Sequence, residues 1–256
     1  MEIIKGLLII AIGSLGQSSS YVPIKKVRKW SWESFWLVQG IFAWLVFPLI
    51  GMLIAIPHDV NPLLLLESGG AGAAIIYGML WGIGGLTFGL SMRYLGVALG
   101  QSVSLGTCSA FGTLFPALFA GTDLLRGDGL ILLLGVIITL TGIAIIGYAG
   151  TLRSQNMSEE EKRAAIKDFA LTKGLAVALL AGIMSACFAL GLDAGTPIKE
   201  TAIANGVPPL YAGLPVILIV TLGGFITNAT YCIYQNIKNK TGKDYFNVNI
   251  SVLLNN

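Results

Sequence analysis

The sequence predicts an all-α fold, a polytopic bundle of membrane-spanning helices. Of its 256 residues, 55% are hydrophobic and only 11% are charged, too few charged groups to cover a soluble domain of this size. Seven apolar stretches are each long enough to cross a bilayer, since about 20 helical residues span the hydrocarbon core. These stretches are continuous and rich in glycine, unlike the short alternating strands of an outer-membrane barrel.

The first four predicted spans are 6–22, 35–57, 72–91 and 97–120. Span one precedes a basic cluster and no small-x-small cleavage site follows it, so we expect an uncleaved helix rather than a signal peptide. Span two follows a tryptophan-rich stretch typical of the membrane interface. Spans three and four contain Gly-x-x-x-Gly patterns, which let neighbouring helices approach closely.

The last three predicted spans are 129–149, 174–196 and 209–235. The connection 150–173 is rich in charge and contains Ser158-x-x-Glu161, the pattern of a helix capping box. We therefore expect a short, partly amphipathic helix in this linker, close to the cytoplasmic surface of the membrane.

Short sequence matches suggest an internal repeat. Lys-Gly-Leu opens span one at Lys5 and span six at Lys173, and Pro-Ile-Lys follows both spans, at Pro23 and Pro197. A repeat of five spans is inverted relative to its partner, which is the architecture of many transporters. We predict a first repeat in 1–149, the linker 150–173, and a partial second repeat in 174–256. A complete pair needs ten spans, so the sequence is expected to be truncated.

Basic residues predict the orientation of the chain. The loops after the odd-numbered spans and the C-terminal tail hold 13 of the 16 lysine and arginine residues. Because basic loops stay in the cytoplasm, we expect a periplasmic N-terminus and a cytoplasmic tail. The net charge of +3 is then explained by contact with anionic lipid, and no nucleic-acid partner is expected.

The sequence offers little for catalysis or metal binding. It contains no HExxH, CxxC or GxSxG motif, and its single histidine, His58, lies beside Asp59 in an outer loop. One histidine cannot supply the converging ligands that a metal or nucleophile site needs. The chain is therefore not expected to be an enzyme, and we predict neither a metal nor a cofactor.

A few polar and aromatic residues in or beside the spans are candidates for solute binding. Gln17 and Gln101 are the best of these, because a primary amide in hydrocarbon needs partners that a hydroxylated solute provides. Asp193 lies near the outer end of span six and is either an interfacial acid or a proton carrier. Trp44 and Trp81 lie deep in spans two and three, where either ring could contact a solute or pack between helices. Glu33, beside the basic cluster, is interpreted as paired with that cluster or solvated.

Three stretches resemble a known family. They are Tyr21–Glu33 (YVPIKKVRKWSWE), Trp81-Gly-Ile-Gly84 followed by Gly89–Gly96 (GLSMRYLG), and Gly206–Tyr211 (GVPPLY) followed by Leu214-Pro215. In the same order along the chain, they are similar to the bacterial L-rhamnose/proton symporters, a family of the drug/metabolite transporter superfamily. The resemblance covers spans one to seven.

The resemblance implies uptake of L-rhamnose with protons across the bacterial inner membrane, by alternating access in a ten-helix fold. We expect a midplane cavity lined by Gln17, Tyr21, Trp81, Gln101 and Asp193, with Asp193 in proton coupling. Another metabolite or nucleotide-sugar carrier of the same superfamily is the alternative. A seven-helix receptor fits less well, because the outer N-terminus is too short for a ligand domain and span seven carries no lysine for a retinal Schiff base.

Overall fold

A computed structural model of the chain describes residues 2–19, 30–57, 60–61, 67–156 and 170–246. Within these ranges every regular element is a helix, which confirms the predicted all-α class. The helices are α1 (Glu2–Ser19), α2 (Trp32–Ala55), α3 (Ala71–Leu95), α4 (Val97–Phe119), α5 (Gly127–Asn156), α6 (Leu171–Ala194), α7 (Thr196–Ala204) and α8 (Leu214–Asn239). A 3-10 helix, Gly242–Phe246, follows α8.

Six helical segments of the described chain are long and apolar enough to cross a membrane, with α6 and α7 counted as one. The apolar part of α1, Gly6–Gly16, is shorter. The predicted polytopic membrane bundle is therefore confirmed. The basic cluster 25–29, the loop residues His58 and Asp59, and most of the predicted linker, 157–169, lie outside the described residues.

Helix ends differ from the predicted spans where local signals are strong. Helix α5 continues to Asn156, seven residues into the predicted linker. Helix α8 begins at Leu214 rather than at 209, since residues 209–213 form turns, and Pro215 in the first turn of α8 suits a helix start. The short helix α7 was not predicted, although Pro197 in its first turn is a favoured helix start.

Helix α2 contains a π-helical segment in its middle. Its turns are α-helical over Trp32–Gly40, π-helical over Ile41–Val46, and α-helical again over Phe47–Ala55. A π segment inserts extra residues into the helix and rotates the side chains that follow, and such segments often occur at functional sites.

The contacts divide the chain into two compact units. The first comprises the residues up to Gln39 and those from Thr230 onward, and the second is Gly40–Ala229. These units group residues by contact and are not the sequence repeats predicted above, so the repeat division stays a prediction.

Within the second unit, small residues set the helix packing. A methyl group on Gly84 of α3 would lie 2.6 Å from the backbone nitrogen of Ser185 in α6, and one on Gly174 would lie 2.6 Å from the side chain of Leu95. The contact partner in α6 thus moves back along the chain as α3 advances, so the two helices are antiparallel. Gly78 contacts the carbonyl of Val220 and Gly82 that of Gly224, so α3 runs parallel to the first part of α8. These directions are those of spans that cross one membrane alternately.

The distribution of apolar residues suits a lipid environment. Helix contacts bury alanines such as Ala74, Ala178 and Ala181, each with no exposed surface. Large apolar side chains lie outside, with Ile131 70% exposed and Ile138 71% exposed. Helices in membranes associate through small residues that permit close packing, while large side chains face the lipid tails.

Candidate functional site

Three aromatic rings from three helices meet in the second unit. The ring centroid of Trp81, in the middle of α3, lies 5.8 Å from that of Trp44 in α2, at an interplanar angle of 69°. On α6, the Phe188 ring lies 5.0 Å from Trp81 at 58°. All three residues are only partly buried. We call them the aromatic cluster.

Glycines and the π segment position the two indole rings. A methyl group on Gly224 of α8 would lie 2.5 Å from the Trp81 ring, so only glycine lets that ring approach the helix backbone so closely. Gly40 has the same relation to Trp44, at 3.1 Å. Trp44 itself belongs to the π-helical segment, which sets the direction of its side chain. The cluster can hold an uncharged ligand through C–H groups against ring faces.

Polar side chains of α8 bond to α3 next to the cluster. The Thr227 hydroxyl donates to the carbonyl of Met79 at 3.0 Å, and the Asn228 amide donates to the carbonyl of Gly82 at 3.2 Å. Asn228 is 3% exposed. This pair was not predicted, although a lone asparagine within an apolar run is a signal of such a contact. These bonds hold the Trp81 turn of α3 against α8.

The structure places Gln101 and Asp193 at other levels of the bundle than Trp81. Gln101 is partly buried and follows Gly100, which packs against Ser91 of α3. Ser91 comes ten residues after Trp81, so Gln101 and Trp81 lie about 15 Å apart along the helix axis. Asp193 is exposed near the end of α6, beside Ala194, whose carbonyl contacts Gly70 at the opposite end of α3. The three residues are therefore not brought together around one point.

The remaining predicted contacts lie at the N-terminus. Gln17 belongs to helix α1, and its side chain is not among those described. Tyr21 lies outside the described residues. The predicted roles of both residues stay predictions.

A hydroxyl layer lies between α3, α4 and α6. The side chains of Ser91 and Ser104 are buried and hydrogen-bonded to each other at 3.1 Å. One turn further along α4, Thr107 is 1% exposed, and its hydroxyl has no hydrogen-bond partner among the described residues. A methyl group on Gly182 of α6 would collide with the Thr107 side chain, so the two helices are in close contact here. The layer packs the bundle tightly from the level of Gln101 toward that of Trp81.

A second polar cluster, in the first compact unit, corrects the interpretation of Glu33. Glu33 is only 7% exposed, so it is not solvated as expected. Its carboxylate accepts hydrogen bonds from the Asn239 amide at 2.9 Å and from the Thr241 hydroxyl at 3.0 Å. Its predicted pairing with the basic cluster falls outside the described residues. The pattern of the sequence near Glu33 could not reveal partners that lie more than 200 residues away.

The same unit contains a second carboxylate, Asp244. It accepts a 2.8 Å hydrogen bond from the backbone N–H of Ser31. Burial tends to raise the pKa of Asp244, but hydrogen bonds from Ser31 and Ser34 outweigh burial and lower this pKa below its ordinary value. Asp244 therefore stays charged at neutral pH.

Fold and packing together define a class of protein. A bundle of apolar, glycine-packed helices with polar and aromatic groups between them is a polytopic membrane protein. Among the described residues, no group of histidine, cysteine, aspartate and glutamate is placed to hold a metal ion.

Comparison with known proteins identifies the family. The family described as L-rhamnose-proton symport protein (RhaT) matches residues 1–256, and the chain belongs to it. Curated proteins named L-rhamnose-proton symporter, from Yersinia pestis bv. Antiqua (strain Antiqua) and Yersinia pseudotuberculosis serotype O:1b (strain IP 31758), are each 34% identical to it over 259 residues. The match covers 99% of this chain and 74% of each relative. No solved structure matches the chain. The predicted family is confirmed, and its members are transporters rather than enzymes.

Proposed function

We propose that this protein takes up L-rhamnose together with protons across the bacterial inner membrane, by alternating access. The observation that carries the proposal is the family match over the whole chain, with relatives named L-rhamnose-proton symporter. The helical membrane bundle supports it, since a sugar transporter must enclose a polar solute within apolar helices. The competing assignment to another metabolite carrier of the superfamily has no comparable support.

The aromatic cluster is the proposed site for the apolar side of the sugar. L-rhamnose is a 6-deoxyhexose, so it presents a methyl group and ring C–H groups beside its hydroxyls. Those C–H groups suit the faces of Trp81 and Trp44, whose centroids lie 5.8 Å apart. Phe188 completes the apolar surface from α6. The partly buried state of all three rings leaves part of each available to a ligand.

The amides of Gln17 and Gln101 and the hydroxyl of Tyr21 are proposed as partners for the sugar hydroxyls. Because Gln101 and Trp81 are about 15 Å apart along the bundle, a monosaccharide cannot contact both in one position. We therefore assign Gln101 to a contact made at another stage of the transport cycle. Such a sequence of contacts is compatible with alternating access, in which one repeat moves against the other.

Asp193 is the proposed proton acceptor. Its exposed position at the end of α6 suits a group that takes up a proton from the outer solution. Entry of a proton into an inside-negative cell is favourable by about 2.3 kcal/mol per 100 mV, which can drive sugar accumulation. Coupling requires that sugar and proton each raise the affinity for the other, because linked binding is reciprocal.

Transport assays test both the substrate and the coupling. Cells that lack their own rhamnose transporter would express the protein, and uptake of labelled L-rhamnose and external pH would be recorded together. We expect sugar entry accompanied by alkalinisation of the medium, and loss of accumulation with a protonophore. Rhamnose entry without proton movement would overturn the coupling. No rhamnose-dependent signal, despite verified membrane insertion, would overturn the substrate.

The orientation and the repeat are part of the same proposal. The excess of basic residues in alternate loops supports a periplasmic N-terminus and a cytoplasmic tail. The matching motifs at Lys5 and Lys173 support two inverted units, beginning with α1 and α6. Reporter fusions at the ends of α5 and α8 test the orientation, because both ends should report a cytoplasmic location.

A further inference from the structure

A groove with an apolar wall and a basic end lies in the first compact unit. Its volume is about 460 Å³. Its wall is formed by Leu37 of α2 and by Ile233 and Ile237 of α8, and its end by Lys240, Lys243 and Tyr245. We call it the basic groove.

Along the groove, apolar side chains are followed by basic ones, as the acyl chain of a phospholipid is followed by its phosphate. Ile233 and Ile237 lie within the apolar span Leu214–Asn239, whereas Lys240 and Lys243 come directly after it. From Ile233 to the end of α8, the wall extends about 9–10 Å at the rise of a helix, which is enough for the upper part of an acyl chain. Lys240 and Lys243 therefore lie at the level where the phosphate of that lipid would be.

Aromatic side chains around the groove mark the same level as a membrane interface. The Tyr245 ring, which lines the groove, makes an edge contact with Trp30 at 5.9 Å. Trp32 stacks on Trp36 at 5.4 Å and meets Tyr231 of α8 at 6.4 Å. Tryptophan and tyrosine concentrate at the boundary between hydrocarbon and headgroups. The groove thus crosses from the apolar region into the headgroup region.

Lys240 occupies a backbone position that favours glycine. Its φ is 57°, and it is the only non-glycine residue with positive φ in the described chain. The N–H of Thr241 bonds to the carbonyl of Asn236 at 3.1 Å, and the N–H of Lys240 reaches that of Ile237 at 3.4 Å, the pattern of a Schellman helix end. Glycine or asparagine would fit this position with less strain. A lysine here places a positive charge at the groove despite that cost.

We propose that the basic groove binds one anionic phospholipid of the surrounding membrane. The two lysines that line its end supply positive charge for an anionic headgroup, and its isoleucine wall takes the acyl chain. The nearby Asp244 carboxylate accepts the backbone hydrogen bond of Ser31 at 2.8 Å, and among the described residues no ion pair joins it to Lys240 or Lys243. The apolar wall distinguishes this site from one for a free phosphate ion.

Lipid-dependent stability tests the proposal without using transport. The purified protein in a neutral detergent would be titrated with phosphatidylglycerol or phosphatidylcholine, and its thermal unfolding midpoint measured. We expect phosphatidylglycerol to raise the midpoint at much lower concentration than phosphatidylcholine. A lysine beside an anionic lipid surface contributes on the order of a fivefold change in affinity. The double variant Lys240→Asn with Lys243→Gln should therefore weaken the phosphatidylglycerol effect by more than tenfold.

The matched control is Lys238→Gln, which removes one charge from the same helix end. Lys238 does not line the groove, and its ammonium group lies 6.0 Å from the centre of the Tyr234 ring. We expect this variant to respond to phosphatidylglycerol like the parent protein. Asparagine is chosen at 240 because it suits the left-handed backbone there. If the double variant folds poorly, the single variant Lys243→Gln replaces it, and we expect that variant to weaken binding about fivefold.

Three outcomes would overturn the proposal. They are equal stabilisation by phosphatidylcholine, an unchanged phosphatidylglycerol response in the lysine variants, and full stabilisation by soluble glycerol 3-phosphate, which carries the headgroup charge without acyl chains.

Discussion

The side-chain amide of Asn239, the last residue of α8, donates a 2.9 Å hydrogen bond to the carboxylate of Glu33 in the first turn of α2. Thr241 donates a second bond to the same oxygen at 3.0 Å. Both bonds span more than 200 residues of sequence and close the polar cluster of the first compact unit. A buried carboxylate is stable here because it accepts hydrogen bonds in place of water.

Removal of the Glu33 carboxylate should destabilise this unit. Glu33→Ala removes the shared acceptor of the Asn239 amide and the Thr241 hydroxyl, and a hydrogen bond to a charged group contributes about 1.5–3 kcal/mol. The Thr241 hydroxyl keeps the side-chain oxygen of Asn236 as an acceptor at 3.0 Å, so most of the loss is expected from the Asn239 bond. We expect a clearly lower unfolding midpoint in detergent. Glu33→Gln keeps an acceptor oxygen and should lose less. Glu200→Ala, an exposed acid on α7, is the control, and an equal effect of both alanine variants would contradict the role of Glu33.

This cluster shows where sequence analysis reached its limit. Hydropathy and length predicted the helices because crossing a bilayer needs about 20 apolar residues, whatever the neighbours are. The partners of Glu33 depend instead on which helix ends meet, and no local pattern encodes that. The sequence predicted that Glu33 is either paired with the basic cluster or solvated, whereas the structure buries it against Asn239 and Thr241.

Trp81 illustrates the part of the candidate site that the sequence did indicate. A tryptophan deep in an apolar span is unusual enough to be noticed, and it proves to be the centre of the aromatic cluster. Its partners Trp44 and Phe188 depend on helix rotation, and for Trp44 on a π segment that hydropathy does not reveal. The grouping of Gln101 and Asp193 with Trp81 assumed a common depth, which the helix contacts do not give them.

Asp244 should make the stability of the protein sensitive to acid. Hydrogen bonds from Ser31 and Ser34 outweigh its burial and hold its pKa below the ordinary value of 3.8. A lowered pKa in the folded state means that the stabilisation is complete above about pH 4 and is lost as the pH falls through the folded-state pKa. Asp244→Asn should remove this dependence.

Unfolding midpoints measured from pH 6 to pH 3 would check the effect of Asp244. The parent protein should lose more stability between pH 4 and pH 3 than Asp244→Asn does. Glu200→Gln provides a control with the same change of charge at an exposed position. Parallel curves for the parent and Asp244→Asn would show that the hydrogen bonds to Asp244 contribute nothing.

Gly78 and Gly85 of α3 provide a matched pair of substitutions that tests helix packing. A methyl group on Gly78 would collide with the carbonyl of Val220, whereas one on Gly85 would meet nothing within 4 Å. Overpacking a tight contact costs about 1–3 kcal/mol. Gly78→Ala should therefore lower the unfolding midpoint and the yield of folded protein, while Gly85→Ala should be neutral or slightly stabilising, because alanine favours helix. Similar loss in both variants would mean that the close contact of Gly78 with α8 does not determine the effect.

Trp81 should control sugar affinity if the aromatic cluster contacts L-rhamnose. An aromatic contact contributes about 0.5–1.5 kcal/mol beyond simple burial, so Trp81→Leu should raise the apparent KM for rhamnose about two- to twelvefold. Trp81→Phe keeps a ring and should have a smaller effect. Trp32→Leu is the control, because Trp32 is 47% exposed and stacks on Trp36 in the other compact unit. Uptake kinetics normalised to the amount of protein in the membrane would decide, and an unchanged KM in Trp81→Leu would show that this ring only packs between helices.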